Sequence, residues 1–259
     1  MSQSTKMLQI ARVDLSYFFR TKWLLATLIG LNVTDMLVVG VVYKGMMGSF
    51  NYFTFFAPGV IVTGLFFASF DVGRRVHLGL TEGVSQYYLT LPVSLNGLVG
   101  AHLLSAGVGG VIYAGILTVI AAVFLSPLAS LGTLVLIPYM FMLSMGLAGI
   151  AAVLNLFSTA GERYWVLTEG VQTMMVALST VAYPITVVQA YLPSWLVTLI
   201  ELNPLSQGAE ALRAVISGGA SSDASFNLMA LFLTSLVLMG VGVISYRRVF
   251  TKLREVGKI

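Results

Sequence analysis

The chain has 259 residues, of which 58% are hydrophobic and only 9% charged, against roughly 25% charge in an ordinary soluble domain. With a mean hydropathy of +0.93, this composition excludes a soluble globular fold, and the formal charge of +4 does not signal nucleic-acid binding, because most positive residues flank apolar runs instead of sharing a groove. The absence of cysteine excludes disulfides and thiolate metal sites.

Residues 5–21 come first. Met7, Ile10, Ala11, Val13, Leu15, Phe18 and Phe19 interleave with Lys6, Arg12, Asp14, Arg20 and Lys22 at helical spacing, which predicts an amphipathic helix lying in the inner membrane interface, with a disordered tail as the alternative. No cleavable signal sequence is expected, since residues 1–9 are polar and no small-residue cleavage site follows a short apolar core. Six apolar runs then follow, at 23–43, 53–70, 98–125, 131–157, 166–188 and 226–246. Each is about long enough to cross a ~30 Å hydrocarbon core. Six crossings put both termini on one face, and that face then carries 12 of the 14 Lys and Arg residues, with only Lys44 and Arg213 opposite. The bias marks the terminal face as cytoplasmic. The expected architecture is all-α: one polytopic domain over 1–259 in the cell membrane, with both termini inside.

Two connections carry further signals. Residues 71–97 are too long for a turn and too short for a domain. Thr81 can cap a short helix that Pro92 stops, and within it Val84, Tyr87, Tyr88 and Leu91 share a face beside Glu82 and Gln86. Such a face docks a soluble cytoplasmic partner or floats among headgroups, where tyrosines also belong. Residues 183–225, on the outer side, hold Pro184 and Pro193, then two amphipathic stretches, Trp195–Leu202 and Leu205–Ile216. Asn203 is suited to cap the second, with Pro204 at its start and Gly218–Gly219 at its end. They predict a re-entrant or interfacial lid; a plain extracellular helical loop is the alternative.

Within the runs, Asp35 is the principal ionisable candidate, with Asn32 one turn before it. A charge there serves a polar route or a subunit contact, or else makes a structural hydrogen bond. The second run is rich in rings, and Phe55, Phe56, Phe66 and Phe67 suit apolar groups of a permissive ligand, or simple packing and lipid contact. Glu169 reads as snorkelling or pairing with Arg163. His102 and His77 lack companions at metal-ligand spacing, so no metal site is assigned. Gly107, Gly109, Gly110, Gly115, Gly146 and Gly149 read as close helix contacts. No GxxxxGK[ST], GxSxG or HExxH string occurs, so no catalytic site is expected, and any ATP and Mg would belong to a separate chain.

Ala57–Pro58–Gly59, Arg74–Arg75, Glu82–Gly83, Leu91–Pro92–Val93–Ser94 and the segment 201–219, ELNPLSQGAEALRAVISGG, stand in a telling order. Over nearly its full length the chain resembles the membrane permease subunits of ABC exporters of the drug-resistance and polysaccharide-export kind. The resemblance implies a connecting helix at the amino terminus, a coupling helix carrying Glu82, Val84, Tyr87, Tyr88 and Leu91, and a motif comprising Asn203, Pro204, Ala211, Leu212 and Arg213 before the last span. It also implies a P-loop ATPase partner, a second permease copy, identical or paralogous, and outward movement of a drug, lipid or lipid-linked glycan along spans one, two and five. The hairpin AYPITVVQAYLP departs from the family's Ser-Gly-x-x-x-Pro string. From the residues alone, an ion-coupled transporter or channel and a non-transporting scaffold stand as rivals.

Overall fold

The computed structural model describes residues 3–47, 51–81, 93–157, 161–217 and 222–255, all helices and short joins. We number the helices α1 (Gln3–Arg20), α2 (Lys22–Thr34), α3 (Gly40–Met47), α4 (Tyr52–Thr81), α5 (Leu95–Ala122), α6 (Leu131–Phe157), α7 (Gly161–Ala177), α8 (Ile185–Tyr191), α9 (Ser194–Leu202), α10 (Pro204–Ile216) and α11 (Ser222–Glu255). A π-helical turn, Asp35–Val39, joins α2 to α3.

Among the described residues, five stretches are long and apolar enough to cross a bilayer: Leu25–Tyr43, Tyr52–Arg75, Leu95–Ala122, Leu131–Asn155 and Leu228–Thr251. Their outward faces carry Leu31, Val38, Val119, Leu134, Val135, Leu233 and Val237, all exposed. A belt of this kind is unstable in water and stable in hydrocarbon. The chain is therefore an all-helical, multi-pass membrane protein.

The fifth run differs from its predicted form. Its helix, α7, has 17 residues and ends at Ala177, and the predicted remainder to residue 188 is a bend over 178–184 followed by short α8. Ser179 Oγ accepts from Val181 N inside the bend, Thr180 N donates out of it to Ser206 Oγ, and Pro184 supplies no N–H for continuing a helix. Conversely, residues 71–81, expected to begin a connection, are the last turns of α4. The Asp71–Arg75 pair at (i, i+4), 3.1 Å, supports that extension. Thr81, expected as a cap, is itself helical in α4, and the helix it was expected to begin lies outside the described residues.

α4 is the axis of the molecule. Of its apolar window 83% is buried inside the chain, against 17% for the first span, and it packs on α5, α6 and α10. The α6–α11 contact is also close, because a Cβ on Gly242 would collide with the Gly149 backbone, so the helices meet main chain to main chain. A smaller cluster joins Ile10 and Ala11 of α1 to Leu98, Ala152, Tyr246 and Phe250. It gathers α1 and the last turns of α11 at one end of the bundle, called proximal below. The face of α1 that sequence aims at the interface is thus largely taken up by α5, while Leu8, Val13 and Tyr17 stay exposed.

Candidate functional site

The residues singled out by sequence fall at three places. At the distal end, Asn203 caps α10 by accepting from Leu205 N at 2.9 Å, while its Nδ2 donates to the carbonyls of Met175 at 2.7 Å and Leu178 at 2.6 Å. One amide therefore closes the end of α7 and starts α10. Pro204 follows at the first helical position, where no N–H is needed. Ala211 and Leu212 are buried in the core. Arg213, two turns on, donates to the carbonyls of Phe55 (2.9 Å), Thr180 (2.8 Å) and Val181 (3.2 Å), pairs with Glu210 at 2.6 Å, and lies 3.6 Å from the Phe55 ring centre. A planar guanidinium satisfies several acceptors at once, which an ammonium cannot do.

These bonds fix the 178–184 bend against α4. Tyr52 adds another, donating to Ala182 O at 2.7 Å, and Thr180 N donates to Ser206 Oγ at 2.9 Å. Gly59 explains the Ala57–Pro58–Gly59 string: a Cβ there would stand 2.7 Å from Val181 O. The five motif residues are thus the fastening of the bend and the short helices that follow it.

Along α2, the π-helical turn and α3, the buried residues among those described are Asn32, Met36 and Gly40, a single (i, i+4) row. Asn32 Nδ2 donates to Tyr113 Oη at 3.1 Å, fastening α2 to α5. Asp35 lies one row away and is exposed, and its carboxylate pairs with no described residue. It opens the π-helical turn, a distortion frequent at functional positions. The ring candidates separate similarly. Phe66 is fully buried with Phe70 at 4.6 Å, and Phe56 stacks on Tyr52 at 5.3 Å. Phe55 and Phe67 are half-buried. Glu169 is exposed on α7.

The third place is proximal. Glu82, Val84, Tyr87, Tyr88 and Leu91 lie outside the described residues, but the two helices they connect are firmly anchored. Ser94 caps α5, its Oγ accepting from Gly97 N at 3.1 Å, and its own N–H donates to Gln3 Oε1 at 3.3 Å. On the α4 side, Arg74 covers the Trp165 ring at 4.4 Å and Arg75 donates to the Asp14 carbonyl. His77 stacks on Tyr164 at 3.9 Å and donates from Nδ1 to Asn155 Oδ1 at 2.9 Å. Burial pushes its imidazole below the ordinary pKa, against the hydrogen bond to Asn155, so the neutral form is favoured.

No family model matches the chain, and no curated protein sequence matches it either.

One proximal contact escaped the sequence reading. His102 Nδ1 donates to Asp14 Oδ2 at 2.7 Å, with Ser105 Oγ at 3.5 Å, so Asp14 belongs to the face of α1 that docks on α5. The signal was present: Asp14 follows Ile10 by four residues and precedes Phe18 by four, so helical spacing puts it on the buried stripe. Among the described residues, no three His, Asp or Glu side chains converge to hold a metal.

Proposed function

We propose that the chain is the permease half of an ATP-driven exporter for a hydrophobic or amphipathic compound, working as a pair of copies with a separate P-loop ATPase. In this reading α7 completes six crossings, both termini face the cytoplasm, α1 lies at the inner interface, and α8 to α10 form an outer re-entrant lid. Twelve of 14 positive residues on the terminal face favour that orientation.

The observation that carries the paired arrangement is Asp35. A carboxylate facing hydrocarbon at a helix centre costs about 2.5–3.5 kcal/mol, and the described residues of a single chain offer it no cover. A second copy or a wet route between copies would supply one. Glu169, also exposed, adds a second acidic group on a helix expected to line that route. The ATP-driven part of the reading rests on the resemblance of 57–59, 74–94 and 201–219. ATP binding by the partner would draw two nucleotide-binding subunits together, and the Glu82–Leu91 stretch would pass that motion to α4. Differential affinity of the alternating states for substrate would set the direction of transport.

The test is co-expression with a P-loop ATPase encoded beside the gene, followed by co-purification and ATP-dependent transport in vesicles. Replacing Tyr87 and Tyr88 together by Ala should abolish substrate-stimulated ATPase while leaving the permease folded. Full transport and assembly by that variant would remove the docking role. Ion-gradient-driven uptake by the purified chain alone would overturn the exporter reading in favour of a secondary transporter.

A further inference from the structure

At the distal end, α5 and α6 part to leave a cleft of about 350 Å³, a size typical of small-ligand sites. Its floor is apolar and closed: Ile61, Leu136 and Met140 are buried there. Its lips, Val119 and Leu134, are exposed on the membrane-facing surface, 71% and 57%. Gly115 makes the room. A Cβ built on it meets nothing within 4 Å, whereas Gly107 and Gly110 on the same helix are packed against α6. The space in front of Gly115 is therefore unfilled by the described residues.

The cleft runs from Ser130 at its distal rim to Met140, ten residues of nearly continuous helix and hence about 15 Å at 1.5 Å per residue. That is half of a ~30 Å hydrocarbon core, the depth of one leaflet. The polar side chains lining it are Thr118, Ser130 and Thr133. The hydroxyl of Thr118 is satisfied by Ala114 O at 2.7 Å. Near the rim, the buried Oγ1 of Thr133 has no partner among the described residues. A buried hydroxyl without a partner is costly. An empty apolar slot likewise forfeits dispersion contacts.

We infer that this cleft is a specific site for one acyl chain of a phospholipid in the distal leaflet, its glycerol–ester region lying at the exposed rim residue Ser130. The slot matches a single chain in depth, opens sideways to the lipid, and places an exposed serine, Ser130, at the rim where the ester groups of that leaflet lie. The site is independent of the exporter reading, since it requires only that the chain span a bilayer.

The test uses the full-length protein in nanodiscs containing a phosphatidylcholine with a diazirine along one acyl chain, photolysed and mapped by mass spectrometry. Adducts should be several-fold enriched on the cleft residues of 111–140 over the equally exposed α11 surface at Val237 and Val241. Gly115→Phe, which points a ring into the open slot, should bring cleft labelling down to the α11 level with unchanged melting behaviour. If Gly115→Phe does not accumulate, Gly115→Leu fills the same space with less bulk and carries the same comparison. Labelling that merely follows exposure on both surfaces, or that is indifferent to filling at position 115, would overturn the assignment.

Discussion

Replacing Arg213 by Met keeps the apolar length of the side chain and removes every donor. The arginine side chain is 12% exposed, and its loss strands the carbonyls of Phe55, Thr180 and Val181 and leaves the Glu210 carboxylate with the Thr180 hydroxyl at 3.1 Å but no cation. Breaking a buried ion pair costs about 3–5 kcal/mol in general, but Glu210 is 34% exposed and regains some solvation, so we expect about 3 kcal/mol, near the lower end. Arg213→Lys should recover part of this by keeping the charge on Glu210, while losing the fork that serves three carbonyls at once. The chain has no native cysteine, which makes the assay clean: a single cysteine at Ala182, in the bend, reports its accessibility to a membrane-impermeant thiol reagent. Arg213→Met should label faster at this position and melt at lower temperature in detergent, with Arg213→Lys between it and the parent. If Arg213→Met melts like the parent and the bend labels no faster, the fastening role derived from the hydrogen bonds is wrong.

Asp35→Asn preserves size and removes charge; it should leave the melting temperature nearly unchanged yet lower transport of cationic more than neutral compounds in reconstituted vesicles, and equal transport of both would return Asp35 to a structural role. For the proximal clamp, a double-mutant cycle on Asp14→Asn and His102→Ala should give a coupling of about 1–2 kcal/mol, read by melting, with faster proteolysis of α1 in each single variant; additive effects would dissolve the pair. Gly242→Leu forces α6 and α11 apart at Gly149 and should cost more than the 1–3 kcal/mol of ordinary overpacking, seen as loss of monodisperse protein, whereas Gly240→Leu, which meets nothing within 4 Å, should be tolerated.

The apolar runs were legible because a bilayer imposes length and composition on anything that crosses it, and five of them appear as long helices within a few residues of their expected bounds. Asn203 and Pro204 were legible as a helix start for a local reason, since capping depends on neighbouring backbone alone. The helix continuing through 71–81 was not, because glycine and charge in that stretch mimic a loop, while Arg74 and Arg75 find their partners on α7 and α1, far away in sequence. The facing of each span was equally hidden. In water a helix shows its buried side as an apolar stripe, but lipid is as apolar as a packed core, so Asn32, Met36 and Gly40 look no different in sequence from the exposed residues around them. Sequence therefore determined that the chain crosses a membrane and where most of its apolar spans lie. Only tertiary packing decided that Asn32 turns inward and Asp35 outward, that Arg213 fastens a bend, and that Gly115 faces open space.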